Sequence, residues 1–159
     1  MCPDRPLVGC CCIARAAAVA VSAAAQAQEA LGTARAEVRG GIAWTAGEEE
    51  AVAGAAIGYD FDLGDSALIG VEGFADHLLA DGADFVWGLG ARAGIRVSDA
   101  GRLYAAGGYP FGDGEDTPYL GAGYNHRLGQ SVYVSAEYRH FFSDFLVVNA
   151  ATVGVGFNF

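Results

Sequence analysis

Residues Asn149 to Phe159 read NAATVGVGFNF. Successive side chains of an extended strand point to opposite sides. Asn149, Ala151, Val153, Val155, Phe157 and Phe159 therefore share one face, while Ala150, Thr152, Gly154, Gly156 and Asn158 share the other. The first face is apolar and ends in two aromatic rings; the second is small and polar. A strand that meets lipid on one side and a crowded interior on the other has this pattern.

Working back from this segment, the same two-residue period recurs with regular interruptions. Strands are expected over Ala34 to Trp44, Ala51 to Leu63, Ala67 to Leu78, Phe85 to Val97, Arg102 to Tyr109, Tyr119 to Leu128 and Val132 to Phe142. The clearest is Phe85 to Val97: Phe85, Trp87, Leu89, Ala91, Ala93, Ile95 and Val97 alternate with Gly88, Gly90, Arg92, Gly94 and Arg96. Gly64 to Ser66, Ser98 to Gly101 and Gly129 to Ser131 read as short turns, and Ala80-Asp81-Gly82 carries a hairpin signal. Thr45 to Glu50 and Pro110 to Pro118 read as loops, the second because of its Pro, Gly and acidic content, and the chain turns again around Ser143-Asp144.

With the terminal segment this gives eight strands of the length that crosses a bilayer at a tilt. The short turns fall at the same end as both chain termini, and the acidic or longer connections fall at the other. The expected fold is all-β, an eight-stranded antiparallel up-and-down transmembrane β-barrel. The last strand pairs with Ala34 to Trp44, so that no open edge is left in lipid. Trp44, Phe85, Trp87 and Tyr109 would ring the loop end, and Phe61, Phe157 and Phe159 the turn end, as interfacial girdles. The competing fold is a soluble lipocalin-type barrel with its apolar face inward. Against it stand the glycine-rich opposite face and the absence of lysine.

The chain has 24 glycines and 159 residues, enough for one domain. The formal net charge of -10 disfavours nucleic acid as a partner, since phosphate backbones are bound by clustered Lys and Arg. All four cysteines, Cys2, Cys10, Cys11 and Cys12, lie near the start. There, Arg5 and Arg15, the apolar run Ala16 to Ala25 and the small-x-small triplet Ala25-Gln26-Ala27 read as an export signal. Residues 1–27 are expected to be removed and residues 28–159 to form the barrel domain, which then has no thiol.

Gly70-Val71-Glu72-Gly73, Tyr119 to Tyr124 (YLGAGY), Glu137-Tyr138-Arg139 and the terminal segment, in this order, resemble the small outer-membrane barrels of the opacity-protein and OmpA/OmpX-like group, often labelled porin family. The resemblance implies the bacterial outer membrane as location, with outer-membrane lipid, lipopolysaccharide and the barrel-assembly machinery as partners, and a monomer. Thr152, Gly154, Phe157 and Phe159 fit the terminal pattern that this machinery recognises in the family. The loops are shorter than those of typical adhesins of this group.

If the polar face points inward, Glu37, Arg39, Glu72, Arg92, Arg96, Glu137 and Arg139 share a lumen with room only for side chains. They are then expected to pair as a salt-bridge network that fills it. A non-enzymatic structural or surface-interaction role follows, with no cofactor and no metal site. The alternative is a narrow ion-conducting pore gated by rearrangement of these pairs. A third reading, a lipid A-modifying enzyme, would use His140, Ser143 and Asp144. It fits poorly, since His140 and Ser143 fall on opposite faces of an unbroken strand. His77 and His126 lack a nucleophile at motif spacing. The acidic segments Glu48-Glu49-Glu50, Asp81/Asp84 and Asp113/Glu115/Asp116 have no EF-hand spacing and read as solvated charge.

Overall fold

A computed structural model describes residues 32–80, 82–111, 117–142 and 148–159. The expected export signal, with Ala25 and Ala27, lies outside these residues, as do Ser143 and Asp144. Eight strands follow in order: β1 (Gly32–Thr45), β2 (Glu48–Leu63), β3 (Ala67–Leu78), β4 (Phe85–Arg96), β5 (Gly101–Phe111), β6 (Tyr119–Arg127), β7 (Val132–Phe141) and β8 (Val148–Asn158). Each pairs antiparallel with the next, and β8 returns to β1 to close the barrel. The seam runs from Arg35 opposite Asn158 to Trp44 opposite Asn149. Beyond it, the Phe159 amide donates to the Ala34 carbonyl at 2.8 Å. Closure satisfies the backbone of every strand, which lipid requires.

The faces are assigned by burial. Ile57, Leu89 and Val153 are 69%, 63% and 66% exposed, whereas Arg35, Asp60 and Arg139 are 3%, 2% and 2% exposed. A barrel in water would have the opposite arrangement. The soluble alternative is thereby excluded, and the molecule is a transmembrane β-barrel. Phe85, Trp87, Tyr109, Phe111 and Tyr138 are exposed at the loop end, and Trp44 leans on Tyr138 with ring centroids 6.1 Å apart. Phe61, Phe157 and Phe159 are exposed at the turn end. These are the two aromatic girdles.

Two expected loops are shorter than the sequence reading. Glu48, Glu49 and Glu50 belong to β2 and pair with Thr45, Trp44 and Ala43. Only Ala46 and Gly47 turn the chain, with Gly47 at φ 107°, a conformation glycine adopts without strain. The acidic side chains are exposed, so nothing opposes extension of the ladder beyond the apolar band. Similarly, β5 continues through Pro110, opposite Gly88, to Phe111. Its ladder with β6 has already ended at Gly108, so proline sits at an open sheet edge, where its missing N–H is tolerated.

The glycines have a specific use inside. Phe74, Tyr104, Tyr119 and Tyr133 point into the lumen, and each stands directly opposite a glycine on the neighbouring strand: Gly88, Gly123, Gly108 and Gly156. The outer atoms of each ring lie over its glycine. A Cβ at Gly156 would come within 2.2 Å of the Tyr133 ring, and one at Gly123 within 2.4 Å of that of Tyr104. Gly123→Ala is therefore expected to push Tyr104 out of place and destabilise the barrel by about 1–3 kcal/mol, a typical overpacking cost. Gly129→Ala, at a turn position with no atom within 4 Å, is expected to be nearly neutral. Urea titration of the two variants in lipid vesicles checks the contrast.

Candidate functional site

The inward rows of five strands bring four arginines and five carboxylates into one connected cluster. At its turn-end side Arg92 on β4 clasps Asp60 on β2 through both Nε, at 2.8 Å, and Nη2. The Nε of Arg35 on β1 lies 3.6 Å from the same carboxylate, and its Nη2 donates to Glu72 on β3. Glu72 also faces Arg139 on β7 at 3.4 Å. Arg139 in turn donates to Glu137 and, at 3.2 Å, to Asp76. Arg39 completes the chain with a fork of 2.9 and 2.8 Å on Asp76.

Tyrosines close the remaining lone pairs. The Tyr133 hydroxyl and Ser135 Oγ donate to Glu37 at 2.8 and 2.9 Å, and the Tyr104 hydroxyl donates to Glu137 at 2.7 Å. Guanidinium planes also lie against rings, with Arg139 4.7 Å from the Tyr119 centroid and 4.9 Å from that of Phe74. Buried charges are tolerated only when paired and hydrogen-bonded, and this cluster meets that condition nearly throughout.

The cluster lies between two cavities. Toward the loop end, a cavity of about 390 Å³ is lined by Leu78, Val86, Phe141 and Val148, with Phe74, Asp76 and Arg139 at its floor. Toward the turn end, a cavity of about 20 Å³ is bounded by Asp60 and Arg92 and rimmed by Arg96, Arg102 and Arg127. Between them lie the buried charged side chains of the cluster.

Six residues expected in the lumen cluster, Glu37, Arg39, Glu72, Arg92, Glu137 and Arg139, come together there. Arg96 does not. It shares their face, but as the last residue of β4 it is exposed at the turn end. Partners differ as well: Glu72 meets Arg35 and Arg139 rather than Arg92, whose carboxylate is Asp60. Arg35, Asp60 and Asp76 were not among the expected members, although each lies on the polar row of its strand. Of the terminal-segment residues, Thr152 and Gly154 face inward, whereas Phe157 and Phe159 are exposed outside. His140 Nδ1 is 2.9 Å from Asn149 Oδ1, and the proposed companions Ser143 and Asp144 lie outside the described residues.

No family profile and no characterised protein sequence matches the chain. Solved structures do. The N-terminal β-barrel domain of Pseudomonas aeruginosa OprF is 17% identical with a TM-score of 0.57, covering 80% of this chain and 99% of that one. Yersinia pestis Ail, the attachment invasion locus protein, is 16% identical with a TM-score of 0.55, covering 80% and 99%. A de novo designed transmembrane β-barrel is 15% identical with a TM-score of 0.57, covering 80% and 96%. At such identities the likeness is one of fold: this chain is built as the small eight-stranded outer-membrane β-barrels are.

Proposed function

We propose that the protein is a non-enzymatic barrel of the bacterial outer membrane with a structural and surface-interaction role. The observation that carries this reading is a lumen filled by buried, paired charges. Arg35, Arg92 and Arg139 have side chains 2–3% exposed, and each is paired to carboxylates from other strands or its own. An interior filled in this way braces the wall and leaves the membrane-exposed face and the loop end for interaction. The loop end carries Glu48, Glu49, Glu50 and Asp84, which suit bridging by divalent cations to lipopolysaccharide phosphates. Phe159, at the end of the seam strand, serves in this reading as part of the assembly address together with Thr152, Gly154 and Phe157.

The expected result is fractionation with outer membranes and a gel mobility that shifts on heating. Purified protein in planar bilayers is expected to pass negligible current. A soluble protein whose mobility is unchanged by heat would overturn the proposal.

The two cavities on either side of a single charged layer support a second reading, a narrow ion path opened by re-pairing. Glu137→Ala frees Arg139 Nε and the Tyr104 hydroxyl from their acceptor. On the gate reading it raises conductance above wild type; equal and negligible currents remove it.

A further inference from the structure

The turn end of the barrel gathers positive charge with few partners for it. Arg96 closes β4, Arg102 opens β5 and Arg127 closes β6, so adjacent strands deliver three guanidiniums to one mouth. Among the described residues, Arg96 has no ion pair, and Arg127 donates only to the Asp99 backbone carbonyl at 2.7 Å. Arg102 reaches Asp62 at 3.9 Å and feels the Asp60 carboxylate, while both other arginines act on it as like charges. Deeper arginines are all held by carboxylates; of the two acidic residues that line this mouth, Asp60 is already taken by Arg92 and Arg35, which leaves Asp99 beside the three rim arginines. In a chain of net charge -10 this local excess of guanidinium is not a product of composition.

A second feature points into the same mouth. Asn125 on β6 lines the cavity, is 7% exposed, and its Oδ1 has no hydrogen-bond partner. A buried acceptor left unpaired is destabilising, so a ligand that supplies a donor relieves it. We propose that this mouth is a phosphate-binding site, in which Arg96, Arg102 and Arg127 take the phosphate oxygens and Asn125 accepts a hydrogen bond from a ligand hydroxyl.

Guanidiniums suit phosphate because their planar forks match pairs of its oxygens. A carboxylate offers fewer oxygens than three arginines can use and has no donor for Asn125. Hydrogen phosphate has both, and so does the glycerol phosphodiester headgroup of phosphatidylglycerol. The two sources share the same recognition chemistry.

The test uses the purified protein in phosphatidylcholine vesicles, with inorganic phosphate at neutral pH as the probe and the unfolding midpoint as the readout. A ligand that binds only the folded barrel raises that midpoint. Phosphate is expected to raise it in wild type. In Arg96→Gln/Arg127→Gln, whose altered side chains are exposed, the phosphate concentration needed is expected to rise about tenfold. Arg96→Lys/Arg127→Lys keeps the charge and is expected to fall between. A heat-dependent mobility shift like that of wild type verifies that each variant folds.

Sulfate, which has no donor at this pH, is expected to act more weakly; an equal effect overturns the assignment to phosphate. Repeating the series with phosphatidylglycerol in the vesicles distinguishes the sources. If the lipid alone raises the midpoint and free phosphate adds nothing, the headgroup is the ligand; if free phosphate still adds, the soluble ion is. No stabilisation from either, or the same stabilisation in the glutamine variant, overturns the proposal.

Discussion

Replacing Glu72 by alanine is expected to destabilise the folded barrel by about 3–5 kcal/mol, the cost of breaking a buried ion pair from one side. Glu72 receives Arg35 and Arg139 and lies 3.4 Å from the Tyr119 hydroxyl. Arg139 would keep Glu137 and Asp76, whereas Arg35 would keep only Asp60 at 3.6 Å and Glu37 at 4.0 Å. Both guanidiniums are 2–3% exposed, so water does not replace the lost carboxylate. Adding Arg35→Met to the alanine variant removes the more poorly paired cation and is expected to recover part of the loss. Urea unfolding in vesicles, followed by the fluorescence of Trp44 and Trp87, measures all three proteins. A loss below about 1 kcal/mol, the scale of a solvated surface pair, would mean that the lumen admits water and is no seal.

Val153→Arg is expected to cost about 2–4 kcal/mol in a bilayer, the range for a cation on the lipid face near the midplane. Val153 is 66% exposed in the middle of β8, between Gly40 of β1 and Ala136 of β7. No acidic side chain shares that outward patch, since the carboxylates of these strands point inward. Leu128→Arg, just beyond β6 at the turn end and 63% exposed, is expected to cost only about 0–1 kcal/mol, because its charge reaches the interface. The same unfolding assay reads both. Equal, small effects at the two positions would deny the apolar surface its lipid, since on a water-facing barrel neither arginine is desolvated.

Faces were legible in the sequence because the orientation of a strand side chain depends only on parity. Phe157 and Gly156 are assigned to opposite sides without knowledge of any neighbour, and eight such rows imply a closed sheet. Strand ends were less legible. The apolar period stops at the edge of the lipid, but hydrogen bonding between β1 and β2 continues until a two-residue turn ends it, so Glu48 to Glu50 read as loop and fold as strand. Pro110 misled in the same way, because whether a proline is tolerated depends on where the neighbouring ladder ends.

The lumen divides along the same line. That Arg39, Glu72, Arg92 and Arg139 point inward follows from alternation alone. Which of them meet depends on the stagger of strands around the barrel, which sets the depth of each residue. Depth joins Arg35 to Glu72 across 37 positions and Tyr133 to Glu37 across 96, and it carries Arg96 out to the rim although Arg92, four residues inward on the same face, is buried. The sequence by itself determined the strands, their two faces and hence the environment of the barrel, because these rest on local geometry and solvation. Only the tertiary structure decided the partners of each charge, the glycine beneath each lumen ring and the open mouth of arginines, because register and stagger are properties of the closed sheet and not of any one strand.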